Sequence, residues 1–350
     1  MTGQAPLSYR FGEYTSKVAF FPSIDTKRLS GDSGTLLVFD KNTAGIPDSS
    51  QPALKVVLPP GERSKSWVGT QRILREALSA GLGRDGLIVG IGGGMICDLA
   101  AFSASLFMRG CRLFLVPTSL LAMVDAAVGG KTAINFRGYK NMVGTFYPAE
   151  QIWIAVSALR YLPEREFRSG LGEVIKTALL GDPVLFEILL NRRELVLARD
   201  SAIMEELVRR CVEVKARIVE EDLRESGERA FLNLGHTFAH ALEMETKYRL
   251  WSHGQAVAWG LVQAAMLSET LGLADPSYTA AVQSLIRSYG FDLQPGRKPE
   301  SVVAAMQVDK KKRRGKLRLV LQRGIGDTVV REVDPLLIVE MLSRSARIFP

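Results

Sequence analysis

Cysteine and histidine are scarce in this chain, with three of each in 350 residues. The cysteines, Cys97, Cys111 and Cys211, are odd in number, and none pairs as Cys-x-x-Cys. That argues against a disulfide scaffold and a cysteine zinc site, and makes a reducing cytoplasm the expected location. Apolar runs are short or interrupted. Leu113 to Val116, bracketed by Arg112 and Pro117, reads as a buried strand followed by a turn. No run reaches the roughly 18 apolar residues of a membrane span, so no membrane partner is expected. Met1 to Tyr14 lacks the basic start and apolar core of a secretory signal. Basic residues are spread along the chain, and the aromatic-basic motifs of RNA-binding modules are missing. Nucleic acid is therefore not an expected partner. Internal repeats and low-complexity segments are missing as well.

What is present is the balance of a globular protein, 47% apolar and 23% charged. The net charge of +8 suits either a basic surface or an anionic ligand. The length favours two domains. In the first part, strand-like runs at Thr35 to Phe39, Leu54 to Leu58, Leu87 to Ile91, Leu113 to Val116 and Ile152 to Ile154 alternate with helical stretches. Two of these are Trp67 to Leu78 and Ile96 to Phe107. Such alternation predicts an α/β domain with a parallel sheet. Beyond it, Ile203, Leu207, Cys211, Val214 and Ile218 keep the helical period. Arg229 to Glu245 and Ala256 to Leu271 also read as helices, and Leu317 to Leu321 as a strand. The expected division is an α/β domain over 1–155 and a mostly α-helical domain over 156–350.

All three histidines, His236, His240 and His253, fall within 18 residues. Spacings of four, three and four would align Arg229, Asn233, His236 and His240 on one helical face. Such a polar stripe is either solvated, satisfied inside the core, or a metal site. The His-x-x-x-His spacing resembles that of zinc proteases, but Thr237 stands where their Glu base belongs. His253 would open the next helix. Glu173, three residues before Lys176, could complete a set of two His and one carboxylate; the alternative is a surface ion pair.

Gly90, Gly92, Gly93 and Gly94 end a strand and precede a helix, a place where backbone amides can meet a pyrophosphate. The Gly-x-Gly-x-x-Gly fingerprint is imperfect, because Cys97 holds its third glycine position. Val128 to Thr132 looks like the end of a P-loop, yet the first glycine of that motif would fall on Asp125. Gly129, Gly130, Lys131, Lys140 and Asn141 still suit an anion, with an unliganded turn as the alternative.

Side by side, the stretches GGGMICDLAAF, MRG, VPTSLLAMVDAAVGGKTAIN, YKNMVGTFYP, GLGEVIKTALL, ERAFLNLGHTFAHALE, SHGQAVAWG and DKKKRRGKLRLVL resemble the 3-dehydroquinate synthases of the sugar-phosphate cyclase superfamily. They run from Gly92 to Leu321, and weaker similarity reaches back to about residue 35. The resemblance implies a Rossmann-like NAD-binding domain, a helical metal-binding domain and a site in the cleft between them. It implies Glu173, His236 and His253 as ligands of Zn2+ or Co2+. It implies Asp40, Asn42, Glu62, Lys65, Gly93, Gly94, Asp98, Thr118, Ser119, Lys131 and Lys140 for NAD. Around the substrate it implies Arg109, Asp125, Lys131, Asn141, Lys176, Lys215, Arg229, Asn233 and His240, with Lys310, Lys311 or both. A homodimer is also suggested. Four positions depart from the family's habit: Cys97 for Gly, Ser119 for Thr, Gly172 for Ala, and Gln255 for Glu after His253-Gly254.

The activity implied is conversion of 3-deoxy-arabino-heptulosonate 7-phosphate into 3-dehydroquinate and phosphate, in the shikimate pathway of aromatic amino acid biosynthesis. NAD would be reduced and reoxidised within a turnover, making the enzyme a carbon-oxygen lyase. His240, one turn from His236, is the expected proton relay to the phosphate end. The rival expectations are another sugar-phosphate cyclase, a metal-dependent alcohol dehydrogenase and a non-catalytic polyanion-binding protein.

Overall fold

The computed structural model describes residues 5–29, 34–45, 54–225, 227–247, 250–309 and 316–348. Lys310 and Lys311 lie outside the described residues. In chain order the elements begin with β1 (Leu7–Phe11), β2 (Tyr14–Phe20), β3 (Thr35–Asp40), β4 (Leu54–Leu58), α1 (Trp67–Ser79), β5 (Leu87–Gly92) and α2 (Gly94–Leu106). Then come β6 (Arg112–Pro117), β7 (Lys131–Phe136), β8 (Tyr139–Phe146), β9 (Gln151–Ile154), α3 (Glu164–Gly181), α4 (Pro183–Asn191), α5 (Arg193–Leu197) and α6 (Ser201–Glu221). Last are α7 (His236–Glu245), α8 (His253–Thr270), α9 (Pro276–Ser288), α10 (Pro299–Asp309), β10 (Leu317–Gly324), β11 (Asp327–Val333) and α11 (Pro335–Ile348). They form two compact units, Met1–Pro163 with Ser201–Arg224, and Glu164–Asp200 with Glu225–Pro350.

The first unit is built on a seven-stranded sheet in the order β1-β2-β9-β6-β5-β3-β4. The β1–β2 pair is antiparallel and the remaining pairs are parallel. β3 and β5 are buried at every position, as parallel strands covered on both faces must be. Alternate residues Leu37, Phe39, Leu87, Val89, Ile91, Phe114 and Val116 pack with Leu29 on one face. On the other face a Cβ at Gly90 would come within 2.6 Å of Ala100 Cβ. The missing side chain therefore lets α2 lie directly on β5. From β3 the chain runs to β4 on one side and then to β5 on the other. That reversal is a switch point, where ligands sit outside the carboxyl ends of the strands.

α6 packs with this first unit, whereas the division expected at residue 155 leaves it in the second. Ile203, Leu207, Cys211 and Val214 are buried as their spacing requires. Charged contacts add to the apolar face. The Arg209 guanidinium lies 4.3 Å from the centre of the Phe20 ring, and Glu220 accepts from the Arg10 amide at 2.6 Å.

The second unit is mostly helical, with an antiparallel β10–β11 hairpin. β10 extends the strand expected over Leu317 to Leu321; β11 carries no comparable apolar run. α8 packs against α3, α7, α9, α11 and β10 and is buried nearly all round, the mark of a central helix. Its small residues let backbones touch. A Cβ at Gly172 of α3 would fall 2.2 Å from the Gly254 carbonyl oxygen, and one at Gly260 of α8 would fall 2.2 Å from that of Gly235. The helix expected over Arg229 to Glu245 is broken: residues Glu228–Asn233 form a 3-10 turn and α7 starts at His236. Gly235, at φ +76°, makes the break, and its packing on α8 holds it there. No helix among the described residues is long and apolar enough to cross a membrane.

Candidate metal and dinucleotide sites

In the second unit three elements bring together residues far apart in sequence. Glu173 lies within α3 and is 1% exposed, while His236 and His253 are the first residues of α7 and α8. Glu173 Oε1 lies 3.5 Å from His236 Nε2 and 3.4 Å from His253 Nε2. A tetrahedral ion with N and O ligands at about 2.0–2.1 Å has edges of about 3.3–3.4 Å, so the spacing suits one Zn2+ or similar ion. Both carboxylate oxygens of Glu173 are buried without a well-formed hydrogen bond, although Lys176 Nζ pairs with Oε2. A buried carboxylate in that condition calls for a cation.

The outer nitrogens of the two rings are also engaged. His236 Nδ1 lies 3.2 Å from the Leu234 carbonyl oxygen, and His253 Nδ1 lies 3.6 Å from Glu243 Oε2. Burial opposes ionisation of Glu173, but Lys176 and the imidazoles outweigh it and hold the carboxyl well below the usual range. Burial, with Lys176 beside it, lowers His236 to about 3. Burial acts the same way on His253, yet Glu173 and Glu243 overcome it and raise that ring to about 10.

The four-residue stripe expected on one helix is split between two elements. His240 remains one turn after His236, with ring centroids 5.5 Å apart, and is exposed. Asn233, on the 3-10 turn, donates from Nδ2 to Glu225 Oε1 at 2.5 Å. Arg229 is buried, 1% exposed. Glu243 continues the His236, His240 spacing by three more residues and is 3% exposed. Glu243 is not among the residues expected at the site, and that spacing is the one signal of it in the sequence.

In the first unit the predicted dinucleotide residues gather at the carboxyl ends of β3, β5 and β6. Asp40 closes β3, and its Oδ1 accepts from the amides of Asn42 and Thr43, both at 2.9 Å. Gly93 caps α2, and a Cβ there would have Ser119 Oγ as its nearest neighbour at 3.5 Å. Thr118 donates its amide to the Gly92 carbonyl at 2.9 Å. Gly92 itself approaches Ile96, and Cys97 points its Sγ to within 3.7 Å of the Gly92 carbonyl oxygen. The departure at Cys97 is thus absorbed in the core behind the turn.

A second group joins residues assigned to different ligands. Lys65 Nζ meets Asp98 Oδ2 at 2.5 Å and also Asn141 Oδ1. Burial raises the Asp98 carboxyl to about 6, against the pull of Lys65. Asn135 ties the group together, donating to Glu62 Oε1 at 2.9 Å and accepting from the Asn141 amide at 3.0 Å. Asn135 is not among the residues expected at the site, because in the sequence the glycines and lysines around it, and Asn141, carry the anion signal. Lys131 and Lys140 are exposed on β7 and β8. Asp125 lies in a π-helical turn, Ala122–Ala126, and pairs with Lys215 of α6. Arg109 is exposed on a left-handed turn at φ +65°.

Family models for the 3-dehydroquinate synthase N-terminal and C-terminal regions match residues 55–169 and 170–312. The chain is 44% identical over 294 residues to the 3-dehydroquinate synthase of Acidithiobacillus ferrooxidans, covering 83% of this chain and 81% of that one. To that of Xylella fastidiosa it is 45% identical over 294 residues, covering 82% and 80%. Among solved structures, a 2-deoxy-scyllo-inosose synthase complexed with carbaglucose-6-phosphate, NAD+ and Co2+ superposes with a TM-score of 0.85 at 23% identity, over 97% of this chain and 99% of that one. A 2-epi-5-epi-valiolone synthase from Streptomyces hygroscopicus with NAD+ and Zn2+ bound gives 0.83 at 26% identity, over 99% of each.

Proposed function

The chain belongs to the 3-dehydroquinate synthase family, and from that premise we propose how its residues carry out the family's reaction. The enzyme converts 3-deoxy-arabino-heptulosonate 7-phosphate into 3-dehydroquinate and inorganic phosphate, as a carbon-oxygen lyase, with NAD and a divalent ion such as Zn2+ or Co2+ as cofactors. The observation that carries the reading is the triad of Glu173, His236 and His253 at ligand-to-ligand spacing.

NAD supplies a hydride acceptor that is restored within the turnover, and the metal supplies Lewis acidity toward the substrate alcohol. Glu173, His236 and His253 hold the ion. Asp40, Asn42, Glu62, Lys65, Gly93, Gly94, Asp98, Thr118, Ser119, Lys131 and Lys140 bind the dinucleotide, the glycines by letting backbone amides approach its phosphates. Lys176, Lys215, Arg229, Lys131 and Arg109 meet the carboxylate, the phosphate and the negative charge that develops as C–H and C–O bonds break. Asp125 orients Lys215 through their ion pair. Asn141 and Asn233 fix substrate hydroxyls, and Lys310, Lys311 or both complete the set. His240 moves the proton at the phosphate end, a role its exposed ring one turn from His236 permits. Holding both reacting carbons in one pocket favours the closing aldol step.

The same reading includes a homodimer, suggested by the family, and a cytoplasmic location, which suits three buried free thiols. The test incubates purified protein with the heptulosonate phosphate, NAD and Zn2+. Phosphate and dehydroquinate should appear in equal amounts with no net reduced nicotinamide. Stoichiometric reduced nicotinamide would mean a dehydrogenase, and heparin retention without turnover a polyanion binder.

A further inference from the structure

Behind the proposed metal ligands lies a buried charge that the reaction itself does not use. Glu243 is 3% exposed on α7, and a carboxylate so placed needs a partner. The ring of His253 stands between two carboxylates: Nε2 is 3.4 Å from Glu173 Oε1, and Nδ1 is 3.6 Å from Glu243 Oε2. His236 differs, since its Nδ1 faces a backbone carbonyl at 3.2 Å. One ligand is therefore backed by a neutral dipole and the other by a full negative charge.

Glu243 also forms a second ligand-type group with His240 and His253, all donor atoms within 4.8 Å. A second metal there is disfavoured by the tautomer. A neutral imidazole that ligates through Nε2 carries its proton on Nδ1 and has no lone pair left to offer. Nδ1 can only donate, and Glu243 is the acceptor it faces. Gln255, uncharged, is occupied elsewhere: its Oε1 accepts from the Ser252 amide at 3.0 Å in the cap of α8.

We propose that Glu243 is a positioning residue for His253, fixing the tautomer that presents Nε2 to the metal and strengthening that ligand with a buried negative charge. α7 then carries one ligand, His236, and the support of another. Outer carboxylates of this kind commonly set ring orientation and ligand basicity. The proposal rests on the metal-site reading given above.

The test uses full-length wild type, Glu243→Gln and Glu243→Ala, measuring Zn2+ affinity by competition with a chelator and the visible spectrum of the Co2+ form. Metal-free thermal stability is followed in parallel. Glu243→Gln should bind about 10-fold more weakly and Glu243→Ala up to about 100-fold, with altered Co2+ absorption. A purely structural role would lower metal-free stability while leaving affinity and spectrum unchanged, and that result overturns the proposal. If the alanine variant does not fold, the isosteric glutamine variant decides. Failure of the wild type to take up metal would overturn the site reading itself, a result distinct from equal binding by all three proteins.

Discussion

The two candidate sites are built differently. In the second unit the ligand groups sit on helices whose backbones touch, and Glu173 is fully buried with its charge partners around it. In the first unit most of the groups sit on turns at strand ends and on a hairpin that exposes Lys131, Lys140 and Asn141, with the Lys65–Asp98 ion pair as their buried part. A metal needs donors fixed to within a few tenths of an ångström, which packed helices provide. A dinucleotide is large and can order the turns it meets, so its site needs less support beforehand. Substitutions should therefore act through folding and metal together in one unit, and through cofactor binding alone in the other.

The strongest way to break this contrast is to remove a ligand. His236→Ala or His253→Ala should lose bound metal and lower turnover by about 1000-fold or more, about 4 kcal/mol or greater. Metal analysis and the phosphate-release assay read both. Retention of one ion per chain by either variant would dismiss the triad.

Acidity provides the next test. In the metal-free chain Glu173 and Glu243 overcome burial and hold the His253 ring protonated up to about 10, so an arriving ion must displace that proton. Metal affinity should rise about tenfold per pH unit from about pH 7 to about pH 9 and level off above about 10. The metal-free fold behaves in the opposite sense. A raised imidazole stabilises it fully below the ordinary 6.5, and that contribution fades as pH climbs through about 10. Chelator competition across the range, with melting curves of the metal-free form, checks both directions.

A pair of glycine substitutions sharpens the contrast directly. Gly172 adjoins Glu173, and a Cβ there would lie 2.2 Å from the Gly254 carbonyl oxygen, beside His253. Gly172→Ala should cost about 1–3 kcal/mol in stability and loosen metal binding as well. Gly93 has φ −72° and 3.5 Å of clearance to Ser119 Oγ. Gly93→Ala should leave the melting temperature near wild type and weaken NAD binding several-fold, by holding the pyrophosphate off the backbone. Calorimetry and cofactor titration separate the two. Equal stability losses in both variants would erase the distinction drawn between the units.

The sequence made the first unit legible because period and burial are local. Thr35 to Phe39 and Leu87 to Ile91 are apolar throughout and could hardly be anything but covered parallel strands. The histidines were legible as a cluster, because residues at helical spacing share a face whatever surrounds them. What stayed hidden depends on contacts distant in the chain. Gly235 breaks the helix before His236 because it packs on Gly260, and nothing near it in sequence announces that. A glutamate on a helix ordinarily reads as solvated, and only burial in the fold sets Glu243 apart. α6 has the amphipathic period of any helix, and only its partners Phe20, Arg10 and Asp125 assign it to the first unit.

The smallest expected effect tests where charge matters in the second unit. Gln255 stands where the family usually has Glu, directly after His253-Gly254, and its amide completes a reciprocal cap with Ser252. A glutamate has the same reach and accepts more strongly at a helix start, so Gln255→Glu should gain about 0.3–1 kcal/mol in stability. Zn2+ affinity should stay within about twofold, because the negative charge behind His253 comes from Glu243 rather than from residue 255. A tenfold tightening in Gln255→Glu would mean that this position shares the supporting role. The separation between an outer charge on α7 and a neutral cap on α8 would then have to be abandoned.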